Sequence, residues 1–241
     1  MMKPYKRLSQ VYDSGWGDFS EQYAPWLHIL LSERGLTQAR VLDLACGTGT
    51  MAVELAKRGH DAHGIDISPN MIGRAKAKVT TLFSVSFDVQ DMIRFKVDGK
   101  YDLVTCTYDS INYICNLTDL RKMLVRVASA LSEAGLFIFD SNTERLYQSH
   151  ADEAIMRELN GQQFIEECRY DSACNEATTT FSFSDGTYEI HKQRPYDYDE
   201  LEPLLRSAGL QVLHLFSWFD MIPYSLETAK LFCVAEKRIG I

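Results

Sequence analysis

The stretch Val41-Leu42-Asp43-Leu44-Ala45-Cys46-Gly47-Thr48-Gly49-Thr50 constrains this chain more than any other. A short apolar strand carrying an acid passes through a glycine-rich turn and enters a helix. Open α/β sheets present backbone to nucleotide-like ligands in this way, because their ligands bind outside the carboxyl ends of the strands. Glycine there permits left-handed backbone angles and a close approach of the ligand to the main chain. Asp43 changes the message. A dinucleotide brings its pyrophosphate to this turn, and a carboxylate repels phosphate and attracts a cation. The turn therefore suits a ligand whose nearest end is an ammonium. Gly47-x-Gly49-x-x-Ala52 also fits the loose dinucleotide fingerprint, so a nicotinamide cofactor remains an alternative on the glycines alone.

The rest of the chain alternates strand and helix. Residues 40–44, 62–66, 83–87, 101–106 and 136–140 read as strands, and 50–58, 69–78 and 117–131 as helices. Ser68 followed by Pro69 is a cap-and-proline start. Leu120, Met123, Leu124, Val127 and Leu131 form one helical stripe. Near-continuous apolar strands between helices predict an α/β fold: a doubly wound, mostly parallel, Rossmann-like sheet covered on both faces. Two closing strands, 210–218 and 229–236, have no helix between them and must pair antiparallel with each other or with the sheet. Ahead of the alternation, Phe19, Tyr23, Trp26, Leu27, Leu30 and Leu31 share a helical face, and Pro25 either opens the regular part of that helix or kinks it.

Residues 141–197 break the alternation and are rich in strand formers. They read as an inserted small antiparallel β-subdomain, a lid, substrate or dimerisation unit, leaving 1–140 and 198–241 as one Rossmann-like domain. Ser184-Asp185-Gly186-Thr187 predicts a two-residue hairpin turn. That register puts Phe181, Phe183, Tyr188 and Ile190 on one face, and Thr180, Ser182, Glu189 and His191 on the other. The aromatic face should dock and His191 should face away.

The chain has 241 residues, 46% of them hydrophobic, and a net charge of −8. That supports a sizeable core and argues against disorder. No basic stripe marks a nucleic-acid partner, no apolar run is long enough to span a bilayer, and the N-terminus has no signal-peptide core. A cytoplasmic location follows as the expectation. The six cysteines include no Cys-x-x-Cys pair and read as free thiols. His60 and His63 lack companion ligands, so no metal is expected.

Two further features belong with the glycine turn. Asp66 ends Gly64-Ile65-Asp66-Ile67, about 20 residues past the glycines, where a carboxylate accepts ribose hydroxyls. Gln90-Asp91-Met92 follows the third strand, where an acid can accept from an adenine amino group and a methionine can lie on the ring face. Together these segments resemble the class I S-adenosylmethionine-dependent methyltransferases: residues 42–50 look like the first motif, 64–71 like the second-strand motif, and Gln90-Asp91-Met92 like the adenine motif. Val11-Tyr12-Asp13 and Tyr108-Asp109-Ser110-Ile111-Asn112-Tyr113 are similar to a small-molecule branch related to glycine and amino-sugar N-methyltransferases, in which an antiparallel sheet is inserted after the fifth strand. The resemblance implies S-adenosylmethionine as cofactor and S-adenosylhomocysteine as product. It implies that Gly47 and Gly49 pack against the methionine part, that Asp43 holds the amino end, and that Asp66 binds the ribose. It puts Ile67, Asp91 and Met92 at the adenine, Tyr108 near the sulfonium, and Tyr12 and Trp16 over the methyl group, with Ala45 and Met71 completing the cofactor-binding set.

Methyl transfer is an in-line displacement with a neutral thioether leaving group. Alignment does most of the work, and orientation can supply about 7–11 kcal/mol. A base is needed when the nucleophile holds a proton at attack. Residues near the strand ends that can meet an acceptor are Asp109, Asn112, Tyr113, Asp140, Asn142, Glu144 and Arg145, with His150 and His191 from the insertion. Tyr147, Tyr188, Tyr196, Tyr198 and Trp218 can line an acceptor pocket. No one of these is singled out as catalytic. The expected partner is a small-molecule methyl acceptor with a nitrogen or oxygen nucleophile, and the chain is expected to be a monomer or a homodimer. Two other readings remain: a nicotinamide-dependent oxidoreductase, against which Asp43 and the closing antiparallel strands count, and a non-catalytic adenosyl-binding protein on the same scaffold.

Overall fold

A computed structural model describes residues 1–81, 83–217 and 222–238. A 3-10 turn at Leu8–Gln10 leads into α1 (Tyr12–Trp16) and α2 (Asp18–Glu33). Then follow β1 (Arg40–Leu44), α3 (Thr50–Lys57), β2 (Asp61–Asp66), α4 (Pro69–Ala77), β3 (Val85–Val89) and β4 (Tyr101–Cys106). A second 3-10 turn at Ser110–Tyr113, α5 (Leu117–Ala130) and β5 (Leu131–Asn142) complete the first half. The inserted part holds α6 (Glu144–Ser149), β6 (Ala154–Leu159), β7 (Gln162–Asp171), β8 (Glu176–Phe183) and β9 (Tyr188–Gln193). The chain closes with α7 (Tyr198–Ser207), β10 (Leu210–Ser217) and β11 (Lys230–Lys237).

The main sheet has seven strands in the order β10-β11-β5-β4-β1-β2-β3. All run parallel except β11, which pairs antiparallel with both β5 and β10. This is the doubly wound, mostly parallel sheet that the alternation implies. Strand order reverses between β1 and β4, so the carboxyl ends of β1, β2 and β4 form the crevice where such sheets bind ligands. Two apolar clusters, one per face, bury the sheet: one carries Leu120, Met123, Leu124 and Val127 of α5, the other Leu27 and Leu31 of α2 with Leu55 of α3. Pro25 lies inside α2 and does not open it. An interior proline costs about 3 kcal/mol. The buried face Phe19, Tyr23, Ala24, Leu27 and Leu31 runs across it, and each large side chain buried contributes about 1.5–3 kcal/mol, so the helix persists through the proline.

The second sheet is antiparallel, in the order β6-β7-β8-β9. Its last hairpin corrects the register expected from Asp185-Gly186. Phe181 pairs with Glu189, Ser182 with Tyr188, and the Phe183 N–H donates to the Thr187 carbonyl at 2.9 Å. The loop therefore holds three residues, 184–186, with Gly186 left-handed at φ 80°. Asp185 Oδ1 fastens it by accepting from the Thr187 N–H at 3.0 Å and hydroxyl at 2.6 Å, a local closure that aspartate makes well. A one-residue slip exchanges the faces. Phe181, Phe183, Glu189 and His191 point inward together, and Tyr188 points out.

The N-terminal segment covers that inward face. The Met2 N–H donates to the Tyr188 carbonyl at 2.9 Å, and Leu8 and Val11 cluster with Phe164, Phe181 and Phe183. Asp13 of α1 ties the other end of the segment to the main sheet: it accepts from the Thr48 hydroxyl and pairs with Lys78 at 2.8 Å. The first residues thus form a strap from the four-stranded sheet to the glycine turn.

Candidate active site

A cavity of about 570 Å³ opens at the carboxyl ends of β1, β2 and β3. It brings together Tyr12, Ala45, Gly47, Asp66, Ile67, Met71, Asp91, Met92 and Tyr108. Asp66 is the best-held polar group among them. Its Oδ2 accepts the Gly47 N–H at 2.9 Å and its Oδ1 the Ser68 N–H at 2.7 Å. Burial raises its pKa, and the two N–H bonds work against that rise. Each carboxylate oxygen keeps further lone-pair capacity for a ligand hydroxyl. Asp91 Oδ1 accepts the Ile93 N–H at 2.8 Å, which fixes the carboxylate at the cavity wall. Ile67 stands at the mouth, 69% exposed.

Beside it lies a small pocket of about 40 Å³ that includes Asp43, Gly47, Thr48, Thr107, Tyr108 and Trp16. Asp43 is buried, and its Oδ1 accepts from the Thr105 hydroxyl at 2.7 Å. Burial pushes its pKa to about 7 against that hydrogen bond, and the nearby Asp66 charge adds to the rise. Gly49 differs from the role the resemblance implies for it. It lines none of these cavities. A Cβ there would lie 2.5 Å from Phe87 Cζ and 2.8 Å from Ala75 Cβ, at a φ of 76°. It is a packing glycine that lets α3 start hard against β3 and α4. Ala45 and Gly47, left-handed at φ 52° and 55°, are the turn residues that face the cavity.

A second cavity of about 570 Å³ lies between the main sheet and the four-stranded sheet. Its aromatic walls include Tyr5, Tyr12, Trp16, Tyr108, Tyr113, Tyr147 and Phe181. Tyr12 and Trp16 stack at 5.5 Å, and Trp16 lines this cavity and the small pocket but not the first cavity. Tyr5, Tyr12, Tyr108 and Tyr113 line both large cavities and form the wall between them.

Tyr108 and Asp109 are left-handed at φ 61° and 51°, a backbone state that costs about 1–3 kcal/mol and persists where neighbours impose it. Asp140 imposes it: its two oxygens accept the Tyr108 and Asp109 N–H groups, each at 2.5 Å. Lys230 pairs with Asp109 at 2.9 Å and Asp140 at 3.4 Å, and sits 5.1 Å from the Tyr108 ring centre. Burial raises Asp140 to about 6, with Lys230 pulling the other way. Burial alone would lower Lys230, but Asp109 and Asp140 outweigh it and its pKa rises. Both acids are thus engaged in aiming Tyr108.

The inward register brings together groups that residue spacing had kept apart. Glu189 accepts the Arg7 N–H, the Leu8 N–H at 3.2 Å and a contact from His191 Nε2 at 3.3 Å. His191 Nδ1 lies 2.8 Å from the Tyr113 hydroxyl, which lies 2.6 Å from the Tyr5 hydroxyl. Burial would raise Glu189, but His191 and the two N–H groups outweigh it and lower its pKa.

The remaining sequence candidates divide. Tyr147, His150 and Asn142 line the second cavity. Asn112 is a buried staple, donating to the Asn142 and Arg194 carbonyls at 2.9 and 2.8 Å. Glu144 accepts from the Tyr170 hydroxyl at 3.0 Å, and Arg145 pairs with Glu227 at the surface. Tyr196 is core, with its hydroxyl on the Ile114 carbonyl. Tyr198 packs against Tyr224, and Tyr188 is exposed on the outer face. Trp218 lies outside the described residues.

Residues 41–135 match the family model described as "Methyltransferase domain". The Geobacillus sp. (strain WCH70) protein named "Putative methyltransferase GWCH70_2453" is 31% identical over 213 residues, covering 82% of this chain and 84% of that protein. The chain belongs to the methyltransferases. Glycine/sarcosine N-methyltransferase of Halorhodospira halochloris is 26% identical over 86% of this methyltransferase and 78% of that enzyme. The crystal structure of an S-adenosylmethionine-dependent methyltransferase from Clostridium acetobutylicum ATCC 824 has the same fold, with a TM-score of 0.84 at 24% identity over 97% of this chain and 98% of that one. The matched segment holds the glycine turn, Asp66 and Asp91. The N-terminal strap and the four-stranded sheet lie outside it.

Proposed function

We propose that this methyltransferase holds S-adenosylmethionine in the cavity at the ends of β1, β2 and β3 and methylates a small molecule held in the second cavity. The observation that carries the reading is the shared wall: two ligand-sized cavities meet at Tyr5, Tyr12, Tyr108 and Tyr113. Asp66 takes the ribose hydroxyls, Asp91 and Met92 hold the adenine with Ile67 beside it, and Asp43 takes the ammonium in the small pocket. Ala45, Gly47 and Met71 bound the methionine part. Bound there, S-adenosylmethionine supplies a methyl group on a sulfonium that departs as a neutral thioether. The protein aligns the acceptor through the tyrosine wall and excludes water with the strap, and alignment is the largest single contribution, about 7–11 kcal/mol.

The acceptor carries a nitrogen or oxygen nucleophile. Asn142 Oδ1, at the wall of the second cavity, has no hydrogen-bond partner among the described residues, and a buried carbonyl of that kind is satisfied by a donor on the ligand. Aromatic walls add cation–π attraction for an amine. Residues 141–197, with the strap, act as the acceptor-binding lid. No helix among the described residues is long and apolar enough to cross a membrane.

Titration calorimetry tests the cofactor half. Asp66→Ala is expected to weaken S-adenosylmethionine binding by about 1–3 kcal/mol, the cost of hydroxyls left without a charged acceptor. Unchanged affinity, or binding of NAD in place of S-adenosylmethionine, overturns the assignment. A panel of small amines, phenols and carboxylates with labelled methyl donor tests the acceptor half.

A further inference from the structure

We propose that Tyr5, Tyr113, His191 and Glu189 form a proton path that takes the proton from the methyl acceptor. The proposal rests on the reading of the second cavity as the acceptor site. Each link is within hydrogen-bonding reach: Tyr5 to Tyr113 at 2.6 Å, Tyr113 to His191 Nδ1 at 2.8 Å, His191 Nε2 to Glu189 at 3.3 Å. The path starts at the wall shared by the two cavities, where methyl transfer has to occur, and ends on His191 against the buried Glu189 carboxylate. A glutamate and a histidine at 0% and 1% exposure are costly to bury unless every polar atom is used.

The directions are set by what each end can do. Glu189 accepts only, so His191 donates from Nε2 and accepts at Nδ1. Tyr113 donates to that nitrogen and accepts from Tyr5. The Tyr5 oxygen then has lone pairs left for the cavity. In the step, the bond between the acceptor atom and its hydrogen breaks and that proton goes to the Tyr5 oxygen. The Tyr5 proton passes to Tyr113, and the Tyr113 proton to His191 Nδ1, leaving an imidazolium against the Glu189 carboxylate. The electron pair left on the acceptor atom forms the bond to the methyl carbon, and the carbon–sulfur pair leaves with sulfur. Burial first, then their mutual contact, holds the Tyr5 hydroxyl well above the usual phenol range, and burial does the same for Tyr113. Both therefore pass a proton while staying neutral. Tyr5, Tyr113 and His191 line the second cavity, and Glu189 is a positioning residue. Glu189 also accepts the Arg7 and Leu8 N–H groups, so the path is complete only when the strap is seated.

His191 is faced by Glu189 on its own strand, Tyr113 on the second 3-10 turn and Tyr5 on the strap. Asp109, Arg157, Glu166 and Lys230 look into the same cavity from other elements. Nitrogen-15 spectra of the histidine-labelled full chain at pH 8 are expected to show the His191 proton on Nε2 and Nδ1 bare. Tyr113→Phe should shift the Nδ1 resonance and spare Nε2. A proton on Nδ1 overturns the path without any acceptor in hand. With the best acceptor from the amine and phenol panel, His191→Gln and Tyr113→Phe are expected to lower kcat at pH 7 about 10²- to 10⁴-fold. Calorimetric affinity for S-adenosylmethionine should be retained in His191→Gln, because His191 lines only the second of the two large cavities. The deficit should shrink as pH rises and the acceptor loses its proton to solvent. A deficit that does not change with pH, or none at all, also overturns the proposal. Where the panel yields no acceptor, the spectra decide. Failure of the wild-type chain to bind S-adenosylmethionine overturns the function itself and leaves the tautomer result standing.

Discussion

Asp43→Asn is expected to weaken S-adenosylmethionine binding at pH 8 by about 1.5–3 kcal/mol, roughly ten- to 150-fold, the range for a hydrogen bond to a charged group. Asp43 is buried, receives the Thr105 hydroxyl at 2.7 Å, and faces the small pocket beside the glycine turn. Asparagine keeps the size and removes the charge, so the change reads the electrostatic contribution with little repacking. Asp66→Ala is expected to act on the ribose end of the same ligand, and the two carboxylates share a coulombic coupling, so the double variant should depart from additivity.

The wild-type protein should also show a pH signature that Asp43→Asn lacks. Burial holds the Asp43 carboxyl near 7 in the ligand-free protein. An ammonium binds the ionised form, so below that pH binding must expel a proton. Affinity should fall about tenfold for each pH unit below 7, until the ligand-bound pKa is reached. The sign for folding is the opposite. A carboxyl whose folded pKa is raised stabilises the ligand-free fold at low pH, and that contribution is lost as pH rises through about 7. Calorimetry at pH 6 in buffers of different ionisation enthalpy measures the proton released on binding. A flat affinity from pH 5.5 to 8 in the wild type means that the ammonium lies elsewhere.

The glycine turn, Asp66 and the strand–helix order were readable in the sequence because their requirements are local. A left-handed turn needs particular residues, a capped helix starts at Ser68-Pro69, and α5 declares its buried face by its period. Each is settled within a few residues. The hairpin between β8 and β9 was not settled in that way. Asp-Gly suits a two-residue turn and also a three-residue loop with glycine at its end, and one residue of slip moved Glu189 and His191 from the solvent face to the interior. The available signal was Asp185-x-Thr187, which favours the aspartate-closed loop seen at 3.0 Å. Tyr5 had no local signal. Its partner Tyr113 is 108 residues away, and only the seating of the strap on the four-stranded sheet brings the two hydroxyls together. Asp109 and Asp140 show the converse limit: position at a strand end marked them for chemistry, while their hydrogen bonds and the Lys230 ion pairs show them holding Tyr108 in place.

Gly49→Ala is expected to lower the unfolding free energy by about 2–5 kcal/mol, summing about 1–2 for a left-handed non-glycine residue and 1–3 for overpacking. Its Cβ would come within 2.5 Å of Phe87 and 2.8 Å of Ala75, both buried, with Ala75 in α4 and Phe87 in β3. Neither is the loose end of a flexible side chain, so the start of α3 has to lift from the sheet. At about 2–4 °C per kcal/mol for a chain of this size, calorimetric melting should drop by roughly 4–20 °C. Gly47→Ala is the control that separates packing from ligand approach. Its φ is 55°, and its Cβ would meet Tyr12 at 3.8 Å and Met71 at 4.0 Å, ordinary contacts. It should cost about 1–2 kcal/mol of stability for the backbone alone and take its larger toll on S-adenosylmethionine affinity, because the added methyl stands where the ligand must come close. Equal losses of stability from the two substitutions mean that Phe87 and Ala75 yield to the added methyl. The cost at both glycines is then one of left-handed backbone alone, and the packing behind Gly49 adds nothing to it.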